Sequence, residues 1–251
     1  MLDLRKCTTG YVSLVGHRGA LASAPENTLP SFEVGLAQGA DVLELDIHLS
    51  RDGELVVIHD FSVDRTTDGK GYVKDLTVAE LKRLDAGSRF SPALKDARIP
   101  LLREVLEGAK GRGWLAIEIK SDWITYEGIE AALVDQLHTV AMVDQVMVIS
   151  FDHCCIKRVK DLDPNIATGM LYMARLVDPV AVARSARADV LRPRWPFATA
   201  AEIRAAHAAG LAYSPWGPND PAIWRQLVEM GVDTLSADRP ADLRAILGPK
   251  A

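Results

Sequence analysis

The stretch DVLELDIHLSRDGELVVIHD, residues 41–60, contains the pattern that decides the fold. Its first half, 41–49, alternates apolar side chains with charged or polar ones, which is typical of a β-strand. Only RDG, residues 51–53, separates it from a second apolar run at 54–60. A parallel crossover needs about a dozen residues or more, and Asp-Gly is a strong turn signal. We therefore predict that 54–60 folds back as a hairpin and is not a further strand of a parallel sheet.

Runs of the same kind recur along the chain, and segments with helical periodicity separate them. Eight such βα units in 251 residues predict an α/β fold, a single (β/α)8 TIM barrel over 1–251. The hairpin and a small insertion at about 61–100 follow strand 2, and a doubly wound open sheet is the alternative. The predicted barrel strands are 11–17, 41–49, 114–120, 145–151, 166–172, 188–193, 211–216 and 233–238.

Two local predictions concern helices and cysteines. The segment 26–39 predicts a helix that ends near Gly39 and buries Leu29, Phe32, Leu36 and Ala37 on one face. The three cysteines form no disulfide framework, because their number is odd and two of them are adjacent. We expect the adjacent pair, in a helical stretch, to be buried small apolar side chains. The cysteines are Cys7, Cys154 and Cys155.

The amino-acid composition excludes several classes of protein. With 48% hydrophobic and 25% charged residues, the chain is an ordinary globular protein and neither disordered nor fibrous. A net charge of −5 argues against nucleic-acid binding, which needs a basic face. No apolar run reaches the roughly 18 residues of a membrane span, and the N-terminus lacks the pattern of a signal peptide. We expect a cytoplasmic protein without a stable membrane anchor, and the sequence predicts no oligomeric state.

Acidic side chains gather at the predicted ends of strands 2 and 3. Glu44 and Asp46 share one face of their strand, and Glu118 lies on the next. In a TIM barrel these strand ends form the active site. Three neighbouring carboxylates repel one another unless a cation binds between them. Oxygen-only ligands favour Mg²⁺ or Ca²⁺ over zinc.

Other reactive side chains fall at the same end of the predicted barrel. His17 follows strand 1 and His59 ends the hairpin, and imidazoles that titrate near neutrality suit acid–base catalysis. Arg18 and Lys120 add positive charge beside the proposed cation. A cation, two basic side chains and an acid–base pair together indicate a phosphoester substrate. Among the other histidines, we expect His138 and His207 to be structural, whereas His48 and His153 remain candidates for the rim.

At these residues the sequence resembles the glycerophosphodiester phosphodiesterase family, and the match covers nearly the whole chain. The shared motifs occur in the family's order, which makes the resemblance specific. They are His17-Arg18-Gly19, Pro25-Glu26-Asn27-Thr28, Glu44-Leu45-Asp46, Asp52-Gly53 through His59-Asp60, Arg65-Thr66-Thr67, Glu118-Ile119-Lys120, Ser150-Phe151-Asp152, Gly231-Val232-Asp233 and Asp238-Arg239-Pro240.

The resemblance implies a barrel enzyme that hydrolyses glycerophosphodiesters to an alcohol and sn-glycerol 3-phosphate with a divalent cation. Asn27 equally suits the start of a helix. Many members have Trp-Thr-Val-Asn on strand 7, where this chain has WGPN at 216–219. The implied roles are metal ligand for Glu44, Asp46 and Glu118; acid–base catalyst for His17 and His59; and substrate or phosphate contact for Arg18, Lys120, Trp216 and Asn27.

Several alternatives stay open at this point. The nucleophile is either water or the glycerol 2-hydroxyl, which would first give a cyclic phosphate. Placement favours His17 as base and His59 as acid, but the sequence does not decide between the two. A lysophospholipase D, a phospholipid lyase that forms a cyclic phosphate, and a non-catalytic phosphodiester-binding barrel are the other functions considered. The sequence does not predict the alcohol headgroup or the choice between Mg²⁺ and Ca²⁺.

Overall fold

A computed structural model describes residues 11–249 of the chain. Eight parallel strands form a nearly closed barrel, and each is followed in sequence by a helix of the outer ring. The predicted (β/α)8 barrel is therefore confirmed. The strands are β1 (Ser13–Gly16), β2 (Val42–Leu49), β3 (Leu55–Val57), β4 (Trp114–Ile119), β5 (Val146–Ser150), β6 (Ala167–Tyr172), β7 (Val190–Pro193), β8 (Ala212–Tyr213) and β9 (Thr234–Ala237). The helices are α1 (Leu29–Ala37), α2 (Val78–Leu81), α3 (Leu102–Ala109), α4 (Ile129–Val140), α5 (His153–Leu162), α6 (Pro179–Ala186), α7 (Ala200–Ala208), α8 (Pro221–Met230) and α9 (Pro240–Leu247).

The order of the strands around the barrel is β8-β7-β6-β5-β4-β2-β1-β9. The barrel closes where β8 meets β9. There the Asp233 N–H donates to the Tyr213 carbonyl at 2.9 Å, and the Asp233 carboxylate accepts from the Tyr213 N–H at 2.7 Å. This closure places β7 and β8 across the barrel from β2 and β4, which is important for the site described below.

β3 forms the predicted hairpin with β2. It pairs antiparallel to the C-terminal half of β2, with His48 opposite Val56. The turn contains Gly53 with φ +83°, a conformation that glycine adopts without the steric penalty of a Cβ. The hairpin therefore extends β2 past the barrel wall and returns the chain to His59 at the barrel mouth.

The segment after β3 contains a short helix and a small apolar cluster. Thr77 caps helix α2, and its side chain and that of Glu80 form a reciprocal capping box. Buried residues of the segment pack with Val56 of β3 and with Ile58, so the residues at about 61–100 have a small apolar cluster of their own. The cluster comprises Val56, Ile58, Val63, Val73, Leu81, Ala86 and Ile99.

Helix α1 buries part of the predicted face and ends close to Gly39, as predicted. Phe32 is buried and Leu36 is partly buried against the core, but Leu29 and Ala37 are exposed. The contact with the barrel includes Gly35, where a Cβ would lie 2.8 Å from the Gly19 carbonyl oxygen. The prediction was wrong for Leu29 and Ala37, because the close backbone approach at Gly35 also sets the orientation of the helix.

The expectation for the adjacent cysteines was half right. Cys155 is buried, whereas Cys154 in the first turn of α5 is exposed. Cys7 lies outside the described residues. Within residues 11–249, no helix is long and apolar enough to cross a membrane.

Side chains along the barrel strands point alternately outward, toward the helices, and inward, toward the barrel axis. Outward side chains such as Leu43 and Leu45 join the core between strands and helices. Inward side chains such as Val42 and Ala116 form a smaller apolar plug inside the barrel. Above this plug, at the C-terminal ends of the strands, the inward positions become polar, and this change creates the site.

Candidate active site

Three buried carboxylates face one another at the C-terminal end of the barrel. Glu44 and Asp46 both point inward from β2, and strand register places Glu118 of β4 directly opposite Asp46. Each contributes an oxygen atom, and these atoms lie within 4.8 Å of one another. We call these residues the acid triad. The predicted cluster is thus formed by the alternation of two adjacent strands.

The electrostatics of the acid triad fit a divalent cation. Burial, reinforced by Asp46, raises the pKa of Glu44, and burial also raises that of Glu118. Burial acts in the same direction on Asp46, but Lys120 and other cationic groups hold its pKa below the ordinary value. Buried oxygens at this spacing, two of them costly to ionise, match a hard ion that would lower all three pKa values. The residues present therefore fit Mg²⁺ or Ca²⁺.

A tight turn after β1 brings Arg18 over the acid triad. Gly19 has φ +86°, and a Cβ on Gly16 would lie 2.2 Å from the Gly19 carbonyl oxygen, so the turn requires both glycines. The Arg18 N–H donates to Glu44 at 2.9 Å. The Arg18 guanidinium donates to Glu26 at 2.8 Å and lines the cavity described below. Arg18 therefore orients one acid through its main chain and presents its charge to the same space.

Asn27 supports another member of the acid triad. Its side-chain amide donates to the Asp46 carboxylate at 2.8 Å and accepts from the Asp46 N–H at 3.3 Å. Asn27 is buried and adopts a left-handed conformation with φ +56°, while the following Thr28 caps helix α1. Both polar ends of Asn27 are thus directed at Asp46.

His17 is held by residues from the far end of the chain. Its Nδ1 lies 2.6 Å from a carboxylate oxygen of Asp238, just past β9. The Asp238 N–H in turn donates to the side-chain oxygen of Asn219 at 2.9 Å. Burial opposes protonation of His17, but the hydrogen bond to Asp238 and the charge of Glu44 outweigh it and raise the pKa of the imidazole.

His59 is held on the opposite side by the hairpin and the insertion. Its Nδ1 lies 2.7 Å from Asp60, and Arg65 donates to the same carboxylate at 2.7 Å. The Lys120 ammonium lies 3.2 Å from His59 Nε2. An ammonium only donates, so this ring nitrogen accepts and the imidazole is neutral in this arrangement. Burial first and Lys120 second lower the pKa of His59.

Lys120 connects His59 to the acid triad. Its ammonium lies 2.7 Å from Glu118 and 3.4 Å from Asp46. Burial alone would lower the pKa of Lys120, but these carboxylates raise it, so the side chain stays charged. His48 lies behind this group, and its two ring nitrogens contact the Tyr126 hydroxyl at 2.8 Å and the His59 carbonyl at 3.1 Å. His48 therefore positions the main chain of His59.

The remaining histidines pair with structural groups. His138 lies 3.0 Å from Asp163, His207 lies 2.8 Å from Asp233, and His153 lies 2.8 Å from the Leu171 carbonyl. The expectation that His138 and His207 are structural agrees with these contacts.

A cavity of about 370 Å³ opens above the acid triad. Two aromatic rings form part of its wall, with the Phe151 and Trp216 centroids 5.6 Å apart in an edge-to-face arrangement. Asn27 is the predicted site residue that does not line it. The lining residues are His17, Arg18, Glu44, Asp46, His59, Glu118, Lys120, Ile149, Phe151, Leu171, Arg192, Trp216, Gly217, Asn219, Ser236 and Asp238.

Sequence reasoning did not assign roles to several of these residues. Asp60 directly follows His59 in a quoted motif, which is a local signal for their contact, whereas Asp238 belongs to another motif and no local pattern pairs it with His17. Arg192 gave a weaker signal, since it is a charged residue inside the predicted strand 188–193. The sequence analysis quoted Asn219 only as part of the motif WGPN at 216–219. In the structure Asn219 lies in the loop after β8 and contacts Asp238.

Comparisons with known proteins agree with this geometry. Residues 17–242 match the Glycerophosphoryl diester phosphodiesterase family. A glycerophosphodiester phosphodiesterase of Caldanaerobacter subterraneus is 37% identical over 231 residues, which cover 92% of this chain and 95% of that protein. One from Bacillus altitudinis is 36% identical over 231 residues, with 90% and 94% coverage.

Solved structures are similar in fold over almost the full length. A glycerophosphodiester phosphodiesterase from Agrobacterium tumefaciens has a TM-score of 0.83 and 31% identity, covering 93% of this chain and 99% of that one. An Oleispira antarctica phosphodiesterase in complex with the product sn-glycerol-3-phosphate has a TM-score of 0.87 and 30% identity, with 94% and 96% coverage. The chain therefore belongs to the glycerophosphoryl diester phosphodiesterase family and is an enzyme that hydrolyses glycerophosphodiesters.

Proposed function

We propose that this enzyme cleaves glycerophosphodiesters to an alcohol and sn-glycerol 3-phosphate by acid–base catalysis between His17 and His59. The observation that carries the proposal is the opposite charge environment of these two imidazoles on either side of the acid triad. The similar Oleispira antarctica enzyme, which was solved with sn-glycerol-3-phosphate, supports the choice of product.

His59 is the proposed general base. Its Nδ1 faces Asp60, and its Nε2 faces Lys120 as an acceptor, so the lone pair is available once a substrate draws the ammonium away. A neutral imidazole at neutral pH is the form that accepts a proton. This assignment reverses the one favoured by placement in the sequence.

His17 is the proposed general acid. With Nδ1 held by Asp238 at 2.6 Å, its Nε2 bears the proton that is passed to the departing alkoxide. Asp238 stabilises the imidazolium, and Asn219 holds the main chain of Asp238 in place. The two histidines thus begin the reaction in complementary proton states.

Arg18 and Lys120 are the proposed phosphate contacts. Both are charged, line the cavity and lie beside the acid triad, so they would stabilise the negative charge that grows on the phosphoryl oxygens. Asn27 is better assigned as a positioning residue for Asp46, because both ends of its amide are directed there. Trp216 contributes to the wall of the substrate pocket.

Glu44, Asp46 and Glu118 are the proposed ligands of a divalent cation, Mg²⁺ or Ca²⁺. When bound, such a cation polarises a phosphoryl oxygen as a Lewis acid. The ligand assignment is tested by dialysis against a chelator, after which activity on glycerophosphocholine should vanish and return with Mg²⁺ or Ca²⁺. A fully active enzyme after complete removal of divalent ions would contradict the assignment.

The reaction itself is tested by incubating the enzyme with glycerophosphocholine and measuring sn-glycerol 3-phosphate. We expect this product and free choline in equal amounts. Phosphorus NMR distinguishes attack by water from attack by the glycerol 2-hydroxyl, since only the latter gives a cyclic phosphate. Release of phosphocholine instead would contradict the proposed bond cleavage.

A second candidate, lysophospholipase D activity, is favoured by apolar side chains at the barrel mouth. Phe151 on the cavity wall is 41% exposed, and Trp123, which contacts Phe61 beyond His59, is 64% exposed. Such side chains would pack against an acyl chain. Release of choline from lysophosphatidylcholine at a rate close to that from glycerophosphocholine would support this activity.

A further inference from the structure

The cavity contains a buried arginine whose donors are unpaired. Arg192 on β7 is 2% exposed, and its Nε and Nη1 atoms have no hydrogen-bond partner among the described residues. Burial lowers the pKa of its guanidinium to about 10 despite the opposing effect of Glu44 and Glu118, so the group is charged at neutral pH. A buried cation with unpaired donors is costly unless a ligand supplies acceptors.

The packing around Arg192 is specific to that side chain. Gly169 of β6 lies beside it, and a Cβ there would approach the Arg192 Cδ to 2.8 Å. Leu171 is the cross-strand neighbour of Arg192 and also lines the cavity. The barrel thus leaves space for this arginine and directs it into the cavity, where water or substrate is the available partner.

Two further buried donors without a hydrogen-bond partner among the described residues lie in the same cavity, Arg18 Nε beside the acid triad and Trp216 Nε1 beside Arg192. Trp216 Nε1 is buried and has no hydrogen-bond partner among residues 11–249. Trp216 follows β8, and Arg192 lies on the adjacent β7. The acid triad belongs to β2 and β4 on the opposite side of the barrel. One wall of the cavity therefore presents the acid triad with Arg18 and Lys120, and the other presents the donors of Arg192 and Trp216.

We propose that Arg192, together with Trp216 Nε1, binds the two free hydroxyl groups of the glycerol moiety and makes the enzyme specific for glycerol diesters. This inference rests on the proposed function. Glu44 and Glu118 reduce the cost of burying the Arg192 charge but do not cancel it, and its Nε and Nη1 donors still lack acceptor atoms among the described residues. The phosphate has Arg18 and Lys120 on the opposite wall.

This arrangement fixes the direction of the substrate. The glycerol end enters beside Arg192, which is 2% exposed, and the leaving alcohol points away from it toward the open mouth of the cavity. Buried donors left unpaired by a substrate without hydroxyl groups would oppose its binding strongly, whereas the open mouth tolerates different alcohols. Specificity for glycerol and tolerance of the headgroup then have one structural cause.

The kinetic test compares two diesters that share a headgroup, glycerophosphocholine and ethyl phosphocholine, which lacks both hydroxyl groups. We expect Arg192→Met to lower kcat/KM for glycerophosphocholine about 10- to 100-fold, the range for losing hydrogen bonds to a charged group. Activity on ethyl phosphocholine should be low in the wild type and should not fall further in Arg192→Met, because the variant removes buried donors that oppose its binding. The matched control Arg204→Met, on the exposed face of α7, should change neither. An equal loss on both diesters would overturn the proposal, as would no loss on either.

A binding test does not depend on turnover and therefore separates this proposal from the proposed function. Calorimetry would measure the Kd of sn-glycerol 3-phosphate and of inorganic phosphate, which lacks the diol. We expect Arg192→Met to raise the Kd of sn-glycerol 3-phosphate about 10- to 100-fold and to leave that of phosphate within about twofold. Equal weakening of both ligands would assign Arg192 to the phosphate and overturn the inference.

Thermal unfolding distinguishes a binding role from a structural one. Without ligand, Arg192→Met should unfold at the same temperature as the wild type or higher, because it removes a buried cation whose Nε and Nη1 donors lack hydrogen-bond partners in the described part of the chain. Arg192→Lys provides a second variant of similar size that retains the charge but loses the planar fork. It should also weaken sn-glycerol 3-phosphate selectively. Clear destabilisation of both variants with no selective effect would contradict the proposal.

Discussion

His17 and His59 each pair with a carboxylate, but their pKa values are shifted in opposite directions. Each imidazole has a carboxylate at Nδ1, Asp238 at 2.6 Å for His17 and Asp60 at 2.7 Å for His59. Yet the pKa of His17 is raised and that of His59 is lowered. Burial lowers both, so the difference comes from the charges around each ring.

The neighbours across the cavity explain the contrast. At His17 burial is outweighed by the hydrogen bond to Asp238 and then by the charge of Glu44, which raise the pKa. At His59 burial lowers the pKa, and the Lys120 ammonium at Nε2 and then Arg18 lower it further. The charge of Asp46 raises the pKa of His59 but is outweighed by these effects together. Asp60 also shares its charge with Arg65, which weakens its effect on His59. A carboxylate beside a histidine therefore does not identify an acid or a base by itself, because the next charged neighbour sets the proton state.

Removal of either imidazole should have the largest effect. We expect His17→Ala and His59→Ala each to lower kcat about 10²- to 10⁴-fold, since each loses a proton-transfer group. The rate of glycerophosphocholine hydrolysis measures this loss. His138→Ala, on helix α4 beside Asp163, is the matched control and should retain wild-type activity. A near-wild-type rate for either site variant would contradict its role.

Removal of the Lys120 ammonium beside His59 should shift the rising limb of the pH–rate profile. The base must be neutral, so activity of the wild type rises as pH increases through the lowered pKa of His59. Lys120→Met removes a cation that lowers this pKa, so the rising limb should move to higher pH. We also expect kcat to fall about 10- to 100-fold through lost stabilisation of the transition state. A rising limb that does not move would show that Lys120 does not control His59.

Removal of the Asp238 carboxylate beside His17 should shift the falling limb of the pH–rate profile. The acid must be protonated, so activity falls as pH increases through the raised pKa of His17. Asp238→Asn should shift this falling limb to lower pH and reduce the rate at neutral pH about tenfold. The matched variant Asp60→Asn should leave the falling limb unchanged. If Asp238→Asn moves the rising limb instead, the two roles are exchanged.

The smallest effect is expected for Asn219, which acts on His17 through Asp238. Asn219→Ala loses the hydrogen bond from the Asp238 N–H, typically about 0.5–1.5 kcal/mol. We expect kcat to fall a few-fold with the falling limb slightly displaced and the rising limb unchanged. An unchanged falling limb and rate would remove Asn219 from the support of His17.

The sequence predicted the acid triad because strand alternation is a strong local signal. Glu44 and Asp46 are two residues apart on one strand, so their shared face follows from the period alone. Glu118 required only the next predicted strand. The hairpin was equally readable, because Asp-Gly and a short connection left no other pairing for β3.

The long-range contacts that orient the site residues could not be predicted from local sequence patterns. Asp238 lies 221 positions from His17, and only closure of the barrel brings the two together. Gly35 faces the barrel because it touches a backbone carbonyl, which apolar periodicity does not encode. The unpaired donors of Arg192 depend on the whole packed interior. Local patterns predict strands and turns, whereas long-range contacts decide orientation and charge.

The seam between β8 and β9 has a consequence for the mobility of the barrel. β8 has two residues, and Tyr213 and Asp233 join it to β9 without a continuous ladder. Short pairings of this kind are where transient local opening begins. We expect fast amide hydrogen exchange in the loop 217–220 and slow exchange in β2 and β4. The enzyme would then admit and release substrate by flexing the wall that contains Trp216 while the acid triad stays rigid.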